Sequence, residues 1–334
     1  MTKSALIIGS SGQDGQLLDQ FLTSQSYQVY GLSKKSLKAS TNTSQKLPPH
    51  VDIQNAKRVS DLVSLLQPTE VYYLAAYHHS SEQNTSAELD IWKQSREVHF
   101  DGTVHFLQAI ADTSPKSRFF YAASSLLYGS GGSGGTAEFG GEQSAPLLLN
   151  ESAAYAPETP YGVSKLAGLM ACHAYKKQHG VFASGGILFN HESELRAPHF
   201  ISKKIVSSAV AIQQKRQDKL ILGSLEARVD WSSARDVVTA MWKILQTTEA
   251  QDFIVASGQA HSVGEFAHIA FSKLGLDYKQ YVGEDPSVLK RKLRPLVGDS
   301  SKLKAITGWQ PQTSFSDMIE HMLIAEGGKL VCRS

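Results

Sequence analysis

The sequence predicts an α/β fold: a doubly wound parallel sheet with a smaller, partly interleaved C-terminal domain. Three observations predict it. The apolar run Ser4-Ala5-Leu6-Ile7-Ile8 reads as a buried parallel strand. It enters the turn Gly9-Ser10-Ser11-Gly12-Gln13-Asp14-Gly15, and Gln16 to Leu22 then carries apolar residues at helical spacing. Beyond it, strand-like and helix-like segments alternate, the mark of repeated βα units.

The elements follow in order. Gln28 to Leu32 reads as the second strand, and the third must lie before Val51-Asp52-Ile53. Asp61 to Leu66 is a short amphipathic helix, and Glu70 to Ala76 is a strong strand. Val98 to Ala111 reads as helix and Ser117 to Ser125 as the next strand. A helix from Tyr161 to about Gly180 and a strand from Val181 to Phe189 complete the alternation. Residues 1–185 are expected to form the sheet domain. Residues 186–334 are expected to form mainly the second domain, with some strands returning to the sheet. Helices are expected from Ser202 to Gln214 and Val237 to Leu245, and a last one begins at Ser314.

Composition excludes several classes. The chain has 334 residues, 41% of them apolar, enough for one large or two modest domains. A net charge of only +2 gives no nucleic-acid or membrane footprint. No charged-then-apolar leader and no bilayer-length apolar run is expected. The two cysteines, Cys172 and Cys332, suggest neither a disulfide framework nor a metal site, and a reducing cytoplasm is the expected setting.

Strand, glycine turn and helix place a pyrophosphate on a helix N-terminus, the arrangement of a Rossmann dinucleotide site. Gly9 permits the tight turn, Gly12 close backbone approach and Gly15 helix packing, with Gln13 and Asp14 between them. After the second strand comes Ser33-Lys34-Lys35-Ser36, without an acid. Basic residues at this position suit the extra phosphate of NADP, with NAD the alternative. Asp52 and Ile53 are candidates for the adenine edge. Leu74, Ala75 and Ala76 end a strand where small residues let a cofactor pass.

Tyr161 and Lys165 lie four apart, on one helix face. An ammonium there can stabilise a phenolate and lower the Tyr161 pKa toward neutrality. Such a phenol can take a proton from a sugar hydroxyl while a nicotinamide takes the hydride.

Taken together, the chain resembles the extended short-chain dehydrogenases/reductases, and among them the GDP-mannose 4,6-dehydratases. The resemblance runs from about Ser4 to Leu323. Its residues are Gly12-Gln13-Asp14-Gly15, Gln67 to Tyr72, Leu74-Ala75-Ala76, Pro160 to Lys165 and Gly186 to Ser193. Asp230-Trp231, Arg235-Asp236, Ala240-Met241-Trp242, His261-Ser262-Val263, Gly298-Asp299 and Gly308 to Pro311 extend it. The resemblance implies an NADP-dependent enzyme acting on a nucleotide-diphosphate sugar, GDP-linked by first choice, and a homo-oligomer, dimer or tetramer. It also implies that Tyr161 and cofactor oxidise the sugar at C4, that an acidic residue helps expel water across C5 and C6, and that hydride returns to C6.

The family pattern Thr-Ser-Glu-Leu is here Ser124-Ser125-Leu126-Leu127. Ser124 can still bind the C4 oxygen, and Ser125 stands beside the sugar. Leu126 replaces the Glu and can neither accept nor donate a proton. Ser124, Tyr161 and Lys165 alone suffice for an epimerase or a 4-keto-sugar reductase. A third possibility is a cofactor-binding sensor without catalysis. Substitute acids are Glu138, Glu142, Glu151, His78 and His79, each more commonly a surface or packing group. The Gly-rich stretch 130–141 is a surface insertion or a lid anchored by Phe139.

By the same resemblance, Asn190, His191 and Glu192 face the sugar and its diphosphate, although His191 and Glu192 could instead pair internally. Arg196, Arg228 and Arg291 are candidate substrate-binding arginines. Val229 stands where relatives have a basic residue.

Overall fold

The computed structural model describes residues 2–40, 46–77, 88–129, 147–285 and 295–331. The opening apolar run forms β1 (Ser4–Ile8), whose last four residues are buried, and Gly12 caps α1 (Gln13–Ser24). β2 (Gln28–Leu32) lies parallel to β1. β3 (Leu37–Ala39) pairs antiparallel to β2. The third strand therefore does precede Val51, but as a hairpin edge, because the connection 33–36 is too short for a parallel crossover.

Asn55 caps α2 (Ala56–Leu66), its side chain accepting from Arg58 N at 3.1 Å. Val59, Leu62, Val63 and Leu66 form the buried stripe of that helix. Next come β4 (Glu70–Tyr73), α3 (Glu88–Arg96), a wide π turn over Glu97–Asp101, and α4 (Gly102–Thr113). β5 (Arg118–Ser124) runs into a tight 3-10 turn, Ser125–Tyr128, and β6 (Leu147–Leu149) is short. α5 (Pro160–His179) starts at a Thr159 cap with Pro160 in its first turn and stops at Gly180, φ +67°. Both ends follow the usual asymmetry of proline at entry and glycine at exit. β7 (Phe182–Leu188) crosses position 185.

The second half contributes β8 (Asn190–Glu192), α6 (Ile201–Gln213), β9 (Leu220–Leu222), β10 (Arg228–Ser233), α7 (Ala234–Leu245) and β11 (Phe253–Val255). It continues with β12 (Ala260–Ser262), α8 (Val263–Lys273), α9 (Tyr278–Tyr281) and β13 (Val282–Glu284). β14 (Leu296–Gly298), α10 (Ser301–Thr307) and α11 (Phe315–Ala325) close it. Ser262 and Glu265 form a reciprocal capping box on α8.

Among the described residues the main sheet runs β11-β7-β5-β4-β1-β2-β3, parallel except for β3. The chain reverses direction across the sheet between β1 and β4. In a doubly wound sheet the crevice at the carboxyl ends of those two strands takes the ligand. Residues of α2, α4 and α5 pack on one face, with Tyr73, Phe119 and Tyr121 beneath them. α1 and α7 cover the other, over Ile7, Tyr72 and Phe120. Each buried Leu, Val or Phe contributes about 1.5–3 kcal/mol of hydrophobic stabilisation. A separate core gathers α6, α8 and α11 around Trp231 on β10. That strand pairs with β8 in parallel and β12 antiparallel. Among the described residues no helix is long and apolar enough to cross a membrane, and no group of His, Cys, Asp and Glu could hold a metal ion.

Candidate active site

The glycine turn sits at the switch point. Gly9 has φ +94°, and a Cβ there would lie 2.7 Å from Ala75 N, so the turn passes directly over the end of β4. A Cβ on Gly15 would lie 2.6 Å from Ser10 Cα, so this glycine lets α1 close onto its own turn. At Gly12 a Cβ would meet only Gly9 O, at 3.4 Å, leaving the N-terminus of α1 open to a ligand. Leu74 N donates to Ile8 O at 2.8 Å, which fixes Leu74, Ala75 and Ala76 beside this turn.

A cleft of about 530 Å³ adjoins the end of β2, lined by Ser10, Ser11, Ser33, Ser36, Lys38 and neighbours. Of the basic residues expected here, Lys34 and Lys35 are exposed on the hairpin turn and do not line it. Lys38 does, because the hairpin folds β3 back beside β2. Asp52 is exposed and accepts from Gln54 N at 3.0 Å. Ile53 packs on the core, its carbonyl 2.8 Å from His105 Nδ1.

Tyr161 and Lys165 share one face of α5 at the end of β5. Lys165 is buried, donates to Ala122 O at 2.7 Å, and holds its ammonium 5.7 Å from the Tyr161 ring centre. Ser124 ends β5, and its hydroxyl lies near enough to the Tyr161 phenol to favour the phenolate. Leu126 N donates to Ser124 Oγ at 3.2 Å, and Ser125 is buried in the turn that follows. The expectation of a phenol lowered toward neutrality needs correction. Burial pushes Tyr161 up to about 12, against the opposing pull of the Arg196 charge and the Ser124 hydroxyl. Burial also drives Lys165 down to about 7, so the ammonium is itself strained by desolvation.

Leu126 is 36% exposed, the open side chain two positions beyond Ser124, and its carbonyl lies under Gly162 at the start of α5. Of the substitute acids, Glu151 binds Ile254 N at 2.8 Å. His78, His79, Glu138 and Glu142 lie outside the described residues, as do the 130–141 stretch, Arg291 and Cys332.

The Gln13-Asp14 pair and the His191-Glu192-Ser193 run meet directly. His191 Nε2 lies 2.9 Å from Asp14 Oδ2, and His191 Nδ1 lies 2.7 Å from Phe189 O. Gln13 donates to His191 O at 3.2 Å and accepts from Ser193 Oγ at 2.8 Å. Burial opposes the charge on Asp14, but His191 overcomes it and holds the carboxyl down to about 2. Burial likewise opposes a charged His191, and Asp14 pushes it above its ordinary value. Glu192 is buried, accepts from Ser202 Oγ at 2.6 Å and sits 2.9 Å from Arg196 Nε. The Arg196 guanidinium stacks on Phe200, 3.5 Å from its ring centre. The side chains of His191 and Glu192, candidates for the sugar, are thus engaged inside the protein. Asn190 is exposed on β8. Arg228 is exposed and donates to Ala260 O at 3.3 Å on the outer strand β12.

One group the sequence did not mark is His99, fully buried in the π turn, its ring edge-to-face with Tyr161 at 4.9 Å between centres. Its position in an apolar helical stretch gave no signal, because a π turn leaves no trace in 3.6-residue spacing.

A family model described as GDP-mannose 4,6 dehydratase matches residues 6–322. The chain belongs to that family. GDP-mannose 4,6 dehydratase 2 of Arabidopsis thaliana is 33% identical over 343 residues, covering 96% of this chain and 86% of the relative. GDP-mannose 4,6 dehydratase 2 of Caenorhabditis elegans is 31% identical over 358 residues, covering 97% and 89%. Among solved structures, RMD from Pseudomonas aeruginosa complexed with NADPH matches with a TM-score of 0.80 at 22% identity, over 98% of each chain. UDP-glucose 4-epimerase of Thermotoga maritima with UDP-glucose matches with a TM-score of 0.76 at 17% identity, over 96% of this chain and 98% of that one. At those identities the structures speak for the Rossmann fold. Family membership makes the chain a nucleotide-sugar enzyme of the short-chain dehydrogenase/reductase superfamily.

Proposed function

We propose that the chain is an NADP-dependent enzyme that interconverts ketone and alcohol at C4 of a nucleotide-diphosphate sugar, GDP-linked, without expelling water. The observation that carries this reading is Leu126 standing open beside Ser124 where the resemblance calls for a carboxyl. Expulsion of water needs a proton donor there, and an alkyl chain offers none. The residues fit the cofactor: the open N-terminus at Gly12 suits a pyrophosphate, and Lys38 with Ser33 and Ser36 suits a ribose phosphate. The division of the chain near residue 185 into cofactor and sugar regions belongs to the same proposal.

The glycine turn and Ala75 would hold a nicotinamide cofactor, which would supply hydride exchange at C4. Ser124 Oγ orients the C4 oxygen, and Tyr161 moves the proton. The phenol is protonated at neutral pH, so it can donate its proton to a ketone. Lys165 places positive potential under the phenolate left behind, and the Ala122 carbonyl keeps it there. A second reading, dehydration, is favoured by 33% identity to a dehydratase over most of the chain, and needs a proton donor from a position other than 126.

The test is mass spectrometry of two incubations: GDP-mannose with NADP, and its 4-keto-6-deoxy derivative with NADPH. Gain of two hydrogens in the second with no loss of water from the first is the expected result. An unchanged mass with a changed sugar NMR spectrum points to epimerisation. Loss of water from GDP-mannose sinks the proposal and restores the dehydratase reading.

A further inference from the structure

His99 joins two walls of the active site. From the loop after β4, Tyr77 N donates to His99 Nε2 at 2.9 Å. From α5, Ser164 Oγ lies 2.8 Å from His99 Nδ1 and itself donates to Tyr161 O at 3.0 Å. These partners assign the tautomer. A backbone N–H can only donate, so Nε2 bears no proton and the neutral ring carries it on Nδ1, pointing at Ser164.

The surrounding backbone is built to bring the ring there. The π turn displaces the chain at Glu97–Asp101, and the Val98 carbonyl accepts from Tyr73 Oη. The His99 carbonyl accepts from Tyr121 Oη at 3.0 Å and Thr103 Oγ1 at 2.9 Å. Gly168 has no room for a Cβ, because Tyr121 Oη and the His99 carbonyl already fill that space, so α5 comes as close to the turn as backbone allows. Single-turn π bulges inside helices recur at functional sites.

We propose that His99 is a positioning residue: its ring, tied to Tyr77 on one side and Ser164 on the other, fixes the Tyr161 ring relative to the loop that follows β4. The role rests on the reading of Tyr161 as proton carrier, and its closing experiment separates the two. A displacement near 1 Å of such a group lowers a rate by up to about a hundredfold.

Two variants divide packing from hydrogen bonding. His99→Leu keeps volume and loses both polar contacts; His99→Asn keeps a donor at the Nδ1 position, facing Ser164. The first readout needs no substrate: the ¹³Cζ resonance of Tyr161 in tyrosine-labelled protein, assigned with Tyr161→Phe. One sharp signal is expected in the wild type, a shifted or broadened one in His99→Leu, and return toward the wild type in His99→Asn. An unmoved signal in His99→Leu, or equal disturbance in both variants, overturns the role. The second readout is NADPH oxidation with the 4-keto-6-deoxy GDP-sugar, where kcat falls about tenfold or more in His99→Leu, recovers in His99→Asn, and KM changes little. If the wild type itself fails to turn over that sugar, the functional reading falls, while the Tyr161 signal still decides the part played by His99.

Discussion

Asp14 in the first turn of α1 and His191 on β8 form a part-buried pair at 2.9 Å. It fastens the cofactor turn to the strand that presents Asn190, so two stretches far apart in sequence are one structural unit. Removing one partner of a fully buried pair costs about 3–5 kcal/mol, and partial solvation of Asp14 lowers that. Asp14→Asn should therefore destabilise the protein by about 1–3 kcal/mol in chemical denaturation, even without cofactor.

The pair also gives that loss a pH profile. The Asp14 carboxyl is lowered, so its contribution is present above 3.8 and fades as pH falls toward 2. His191 is raised, so its contribution is full below 6.5 and is lost as pH rises through the folded value. The difference between wild type and Asp14→Asn should be largest between those limits and smaller at alkaline pH. A difference that grows steadily from neutral to alkaline pH would contradict the pairing.

Tyr161→Phe should lower single-turnover hydride transfer by about 10²- to 10⁴-fold, the range of a lost acid/base group. Fluorescence titration should show NADPH affinity retained. Loss of both together would move Tyr161 from chemistry to cofactor binding.

Lys165 carries the opposite linkage. Its amine is lowered to about 7 from 10.5 unfolded, so its burial penalty is complete below 7 and is relieved as pH rises toward 10.5. Lys165→Met should raise the melting temperature at pH 6 by about 3 °C or more, a gain that shrinks by pH 10. The same variant should lose turnover. Equal melting curves at pH 6 would show the ammonium to be better solvated than its 1% exposure indicates.

Lys38→Glu should weaken NADPH about tenfold or more and leave NADH nearly unchanged, because only the former brings a phosphate to the β2 cleft. Lys34→Glu should do much less. The reverse ranking would return the phosphate to the hairpin turn.

Much of the sheet was legible because burial on both faces writes itself as continuous apolar runs: β1, β5 and β7 were marked within about one residue, while β4 ends at Tyr73, short of the expected Ala76. The turn glycines were legible because positive φ and close contact admit little else. The antiparallel β3 and most of the strands β8 to β14 were not, being too short to establish a period, and the longer β10 buries polar Asp230, Ser232 and Ser233 rather than an apolar run. At the site, type and spacing exposed Tyr161 and Lys165, whose one-turn relationship is local. His99 and Lys38 escaped because their roles come from chain that returns from elsewhere: Tyr77 and Ser164 for one, the hairpin for the other. The direction of the Tyr161 shift was missed for a related reason. Sequence shows the neighbouring charge but not how much water burial removes.

β11 closes the edge of the main sheet and α7 covers the face opposite α5, yet both come from beyond residue 233. During synthesis, then, the ribosome releases β1 through β7 with the part of that face not covered by α1, and one strand edge, still bare. The nascent chain cannot finish its nucleotide-binding half until roughly three quarters of it has emerged, and a truncation before α7 should yield aggregate rather than an isolated domain.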